Sequence, residues 1–155
     1  MRLDRSLVRT DFRDFITPAL VAMRQRAITG PKGELSVHKY LVYSAYGWLA
    51  LSGTLHFVID VLSQFLRGKR PPGMETALYY GLNSAYALGQ VAFGLLGLFL
   101  AWRAMNVVSQ TPVLVLTVAA ALGWLAITFL FMEYREPKFN ISIFLALTLA
   151  AFFTR

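Results

Sequence analysis

The chain contains no cysteine among its 155 residues. That excludes disulfide staples, thiolate zinc sites, thiolate nucleophiles and iron–sulfur ligation by this chain. Histidine is almost as scarce. His38 and His56 are the only two, and the reading below puts them at different depths, so one chain cannot clamp a haem between them. The residue pattern calls for no cofactor and no metal. Acidic residues are also few, at eight against fifteen Lys and Arg, for a formal net charge of +7. In a soluble protein that excess would raise nucleic acid as a partner. Here eight of the fifteen basic residues precede Tyr40, beside what reads as a membrane domain. Such a placement reflects anionic lipid and topology rules, not nucleic acid.

What is abundant is apolar. Hydrophobic residues make up 57% of the chain and mean hydropathy is +0.55, above the ~45–50% apolar content of ordinary soluble domains. Each bilayer crossing needs ~20 residues, so this length accommodates about four crossings and short loops. Four apolar runs are present, at about 40–66, 76–105, 112–132 and 139–153. The basic loop Arg67-Gly68-Lys69-Arg70-Pro71-Pro72-Gly73, the short link 106–111 and the charged turn 133–138 separate them. The fourth run is short, and ~15 residues span only ~22 Å as a helix. It is expected to thin the bilayer, pack within an oligomer or re-enter. The fold class that follows is all-α: a polytopic membrane protein, with a four-transmembrane-helix bundle over 36–155.

Residues 1–35 read differently. Leu3, Leu7, Val8, Phe12, Phe15, Ile16, Ala19, Leu20 and Met23 recur at helical steps with Arg5, Arg9, Asp11, Arg13 and Asp14 between them. This is an amphipathic, interfacial helix, too charged to cross a membrane. The first fifteen residues mix both charge signs and lack the compact apolar core of a signal peptide. With the N-terminus inside, ten basic residues fall on the cytoplasmic side and five outside. The count favours both termini in the cytoplasm, with a bacterial inner membrane as the expected location.

Polar groups inside apolar helices are the informative exceptions. In the first run Ser52, His56, Asp60 and Gln64 are spaced by four and so share one helical face. A carboxylate at that depth must face protein or water, and His56 is its nearest partner. A histidine in contact with a carboxylate can relay a proton or orient a ligand. The second run offers a matching face of Asn83, Tyr86 or Ala87, Gln90, Gly94 and Gly97. If the two faces meet, Ser52, His56, Asp60, Gln64, Asn83, Tyr86 and Gln90 form a polar core. These seven are the ligand or proton-relay candidates. The competing reading is that they only satisfy one another and fix the packing. Catalytic residues are not identifiable, since no serine sits in a strained elbow.

Two further patterns speak to packing. Gly81, Ala85 and Gly89, and likewise Ala119 and Gly123, are small-residue stripes of the kind that let helices approach in lipid. Tyr40, Tyr43, Tyr46 and Trp48, with Tyr79, Tyr80, Trp102 and Tyr134, fit an interfacial aromatic belt.

Three functional classes remain. A non-enzymatic membrane subunit or scaffold ranks first, on small size and on the N-terminal arm. An oligomeric proton-coupled transporter or channel using His56 and Asp60 ranks second. A small intramembrane enzyme acting on a lipid-like substrate ranks third. The partners expected are membrane lipids, and another membrane protein or further copies of the chain.

Overall fold

The computed structural model describes residues 37–155, and the amphipathic helix expected over 1–35 lies outside them. Four long helices make up the described chain: α1 (Val37–Leu66), α2 (Met74–Arg103), α4 (Thr111–Phe131) and α5 (Arg135–Phe153). A single-turn helix, α3 (Met105–Val108), links α2 to α4. The described residues contain no strand. All four long helices are long and apolar enough to cross a bilayer. The protein is therefore an integral membrane protein with an all-helical span, the architecture that satisfies every backbone N–H and C=O internally in a medium without water. Leu82, Leu116, Leu130, Phe131 and Phe153 stay exposed on the outer faces, as lipid contact requires.

The helix boundaries follow local chemistry. α1 ends in a Schellman cap: Gly68 adopts a left-handed φ of 59°. Its N–H bonds the Phe65 carbonyl at 3.1 Å, while the Lys69 N–H bonds the Gln64 carbonyl at 3.2 Å. Pro71 and Pro72 then prevent continuation. Pro112 and Pro137 both fall in first turns, where a missing N–H costs nothing. This placement of Pro137 corrects the reading of the fourth run as too short. Residues 135–138, expected in a charged turn, are the first turn of α5. The helix has 19 residues and a length of about 28 Å at 1.5 Å per residue, close to the thickness of a bilayer core.

The helices alternate in direction. At one end of the bundle His38 on α1 meets both the α3–α4 link and the end of α5. Its Nδ1 lies 2.9 Å from the Ala151 carbonyl and its Nε2 2.7 Å from Ser109 Oγ. Arg155 donates to Thr111 Oγ1 at 2.7 Å nearby. The opposite end carries the 67–73 loop and the 132–134 turn. Between the ends sits an aromatic cluster with one ring from each long helix: Tyr46, Phe93, Trp124 and Phe144. Their centroids lie 5.4–6.3 Å apart in tilted or edge-on pairs, a favoured aromatic geometry.

Tyr46 and Trp48 thus depart from the interfacial belt expected of them. Tyr46 is buried and its hydroxyl donates to Thr117 Oγ1 on α4 at 2.9 Å, since Thr117 itself donates to the Val113 carbonyl. Trp48 Nε1 donates to the Asn140 carbonyl on α5 at 3.0 Å. Tyr40 and Trp102 remain exposed, as a belt position demands. The close helix approach also differs from expectation. Gly81 and Gly123 face open space, while a Cβ on Gly89 would lie 3.9 Å from the Trp124 ring of α4. α1 and α2 instead meet at Gly53 and Gly94. A Cβ on Gly94 would lie 2.7 Å from the Ala50 nitrogen and 2.9 Å from the Tyr46 carbonyl oxygen. Gly97 lies beneath the Tyr46 ring with no room for a side chain.

Candidate functional site

The α1–α2 contact continues from the glycine seam into a polar cluster. His56 Nδ1 lies 2.9 Å from Asp60 Oδ2, one turn along α1. His56 Nε2 lies 3.2 Å from Asn83 Oδ1 on α2. The Asn83 amide is oriented by its own helix, because Nδ2 donates to the Tyr79 carbonyl at 2.9 Å. Tyr86, one turn further along α2, presents its ring edge-on to the imidazole, with centroids 5.4 Å apart. His56 is buried and Asp60 half-buried. The carboxylate therefore keeps one edge toward open space while the other holds the imidazole.

Local backbone geometry at this point is unusual. Residues Phe57–Leu62 form a π-helical turn inside α1, starting just after His56 and containing Asp60. One-turn π segments insert an extra residue into an α-helix and recur at functional sites. The insertion preserves the His56–Asp60 contact and changes the register beyond it. Gln64, expected to stack on the same face, is half-buried and lines neither of the cavities described next.

Two cavities flank the cluster at the 67–73 and 132–134 end. The larger, about 690 Å³, lies between α2 and α4. Leu82, Trp124, Ile127 and Phe131 make its apolar side, while Arg70, Tyr79, Asn83 and Glu133 supply polar groups. Arg70 stacks its guanidinium 3.5 Å from the centre of the Tyr79 ring. The smaller cavity, about 480 Å³, lies between α1, α2 and the start of α5. Ser52, His56, Asp60, Gln90, Glu136 and Asn140 line its polar wall. Tyr86 and Tyr134 line both cavities, which therefore sit side by side.

Tyr86 carries a further observation. Its side chain is only 8% exposed, and among the described residues its hydroxyl has no hydrogen-bond partner. The same holds for the Tyr79 hydroxyl and for Arg70 Nε. Burying an unpaired hydroxyl costs on the order of 1–3 kcal/mol, and all three residues line the cavities.

Six of the seven polar candidates are brought together. His56, Asp60 and Asn83 form the hydrogen-bonded core, Tyr86 packs on it, and Ser52 and Gln90 line the same cavity. Ser52 donates locally to the Leu49 carbonyl at 3.2 Å, and Gln90 is buried against Gly53. Sequence reasoning missed Arg70, Glu133, Tyr134 and Glu136 as cavity residues. They sit in stretches that read as solvated loops; the 67–73 loop brings in Arg70, and the turn into α5 brings in Glu133, Tyr134 and Glu136. The histidine that looked incidental, His38, is a structural clamp, while no group of three or more potential ligands among the described residues could hold a metal ion. Compared with family models, curated proteins and solved structures, the chain matches none.

Proposed function

We propose that the chain is a non-enzymatic membrane protein that binds an amphiphilic, lipid-like molecule at the end of the bundle formed by residues 67–73 and 132–134. The observation that carries this reading is the larger cavity. One side is apolar and continuous with the lipid-facing surface through Leu82 and Phe131; the other presents Arg70, Tyr79 and Glu133. Ligand sites combine an apolar lining with a few convergent polar groups in this way, and the unpartnered hydroxyls of Tyr79 and Tyr86 supply donors for a polar head. A lipid-like ligand, weighed in the sequence analysis only as a substrate, accounts for the cavities. The sequence count of basic residues, ten on the N-terminal side of the crossings against five on the other, supports a bacterial inner-membrane location with the N-terminus in the cytoplasm.

The test is native mass spectrometry of the protein extracted gently from its own membrane. The expected spectrum carries a stoichiometric amphiphile, and the retained mass disappears when Ile127→Trp fills the cavity while the unfolding temperature holds. A chain that emerges bare, or that keeps the same mass in Ile127→Trp, would sink the reading. The same spectrum reports whether copies of the chain or another protein travel with it.

A further inference from the structure

The two cavities differ in charge. The larger holds Arg70 beside Glu133. The smaller contains two carboxylates, Asp60 and Glu136, and no lysine or arginine at all. Its walls add the rings of Tyr86, Tyr134 and Phe139 and the amide-bearing side chains of Gln90 and Asn140. Among the described residues neither carboxylate lies within salt-bridge distance of a lysine or arginine, and Asp60 is held only by His56. Aromatic faces around a site of negative potential attract organic cations by their quadrupoles, most strongly where water is displaced.

Acidic residues alone would say little. Tyr86 lines the same cavity, and its buried hydroxyl has no hydrogen-bond partner among the described residues, so the site offers a free polar group as well as charge. A volume of about 480 Å³ is large enough for an ammonium headgroup.

We infer that the smaller cavity binds an organic ammonium group, seated between Asp60 and Glu136 and against the Tyr86 and Tyr134 rings. The inference deepens the amphiphile reading and rests on it for the source of the amine: the group belongs to the polar end of the molecule in the larger cavity and reaches the smaller one past Tyr86 and Tyr134, which line both.

The experiment titrates the full chain, in a nonionic maltoside, with four probes: decyltrimethylammonium, decyl phosphate, decanol and tetramethylammonium. Calorimetry reads the affinities. Decyltrimethylammonium is expected to bind at least tenfold tighter than decanol and decyl phosphate. Glu136→Gln, at an exposed position outside the hydrogen-bonded core, should weaken that probe by about tenfold, a change of ~1.4 kcal/mol, and leave decanol unchanged. Asp60→Asn is the second variant, read only if its unfolding temperature matches the parent. Equal affinity for decyltrimethylammonium and decanol overturns the ammonium site while leaving the amphiphile reading intact. Tight binding of tetramethylammonium with no gain from the decyl chain keeps the ammonium site, assigns it to a free amine and removes the amphiphile reading. Binding of none of the four removes both.

Discussion

Asn83 presents its side-chain oxygen, not its nitrogen, to His56, because the Tyr79 carbonyl takes the amide nitrogen at 2.9 Å. With Asp60 on the other side, both imidazole nitrogens face oxygen acceptors. Asn83→Leu removes the oxygen that faces Nε2 and should cost about 1–3 kcal/mol of stability, read by thermal unfolding; an unchanged unfolding temperature would show that the His56–Asn83 contact carries no weight.

His38 joins three segments of chain at the other end, through the Ala151 carbonyl and Ser109 Oγ. It is 3% exposed, so truncation leaves buried groups unpaired. His38→Ala should cost about 1–3 kcal/mol of stability, measured by denaturant unfolding followed through tryptophan fluorescence. Ligand binding at the far end should be unchanged in any fraction that folds. A loss below a few tenths of a kcal/mol would mean the clamp carries no weight.

The glycine seam separates tight positions from open ones. Gly94→Ala places a methyl group against the Ala50 and Tyr46 backbone and should destabilise by about 1–3 kcal/mol through overpacking. Gly81→Ala and Gly123→Ala meet nothing within 4 Å. Both should be neutral, or gain the ~1 kcal/mol by which alanine exceeds glycine in a helix. The three variants compared in one unfolding assay decide the point, and equal effects would place the α1–α2 contact elsewhere.

Tyr46 combines a hydrogen bond with ring packing. Tyr46→Phe removes only the bond to Thr117 and should cost ~0.6 kcal/mol, the average for such interhelical bonds in membranes. Tyr46→Ala also removes the ring from between Phe93, Phe144 and Gly97, and should cost about 3–5 kcal/mol. Similar losses in both variants, read by thermal unfolding, would show that the aromatic cluster does not hold the bundle.

Tyr86→Phe separates ligand binding from folding. The hydroxyl is buried without a partner among the described residues, so its removal should leave the unfolding temperature equal or slightly raised. Retention of the bound amphiphile should fall. If the hydroxyl were simply a packing element, retention would not change.

Hydropathy along the chain is a measure of depth, and depth was legible. The four crossings, their order, their connecting loops and the pairing of His56 with Asp60 follow from apolar length and from a four-residue spacing on one helix. Azimuth was less legible. A helix that is apolar all round carries little pattern to tell a lipid face from a protein face. Asn83, Tyr86 and Gln90 could be read as one side of α2 because they are the polar exceptions there. That they face α1 depends on the close approach allowed by Gly53 and Gly94. Tyr46 and Trp48 looked like belt residues because aromatic composition is the same at an interface and in a core; packing of four rings from four helices draws Tyr46 inward, and a bond to α5 holds Trp48. The π turn after His56 moves Gln64 out of register, a backbone event that side-chain spacing cannot announce. The sequence by itself determined a four-crossing membrane protein with a His–Asp pair on one helical face. Only the tertiary structure decided that this pair lines a cavity with a second one beside it, because the walls add Arg70 from the 67–73 loop and Glu133, Tyr134 and Glu136 from the turn into α5, all distant from the pair in sequence.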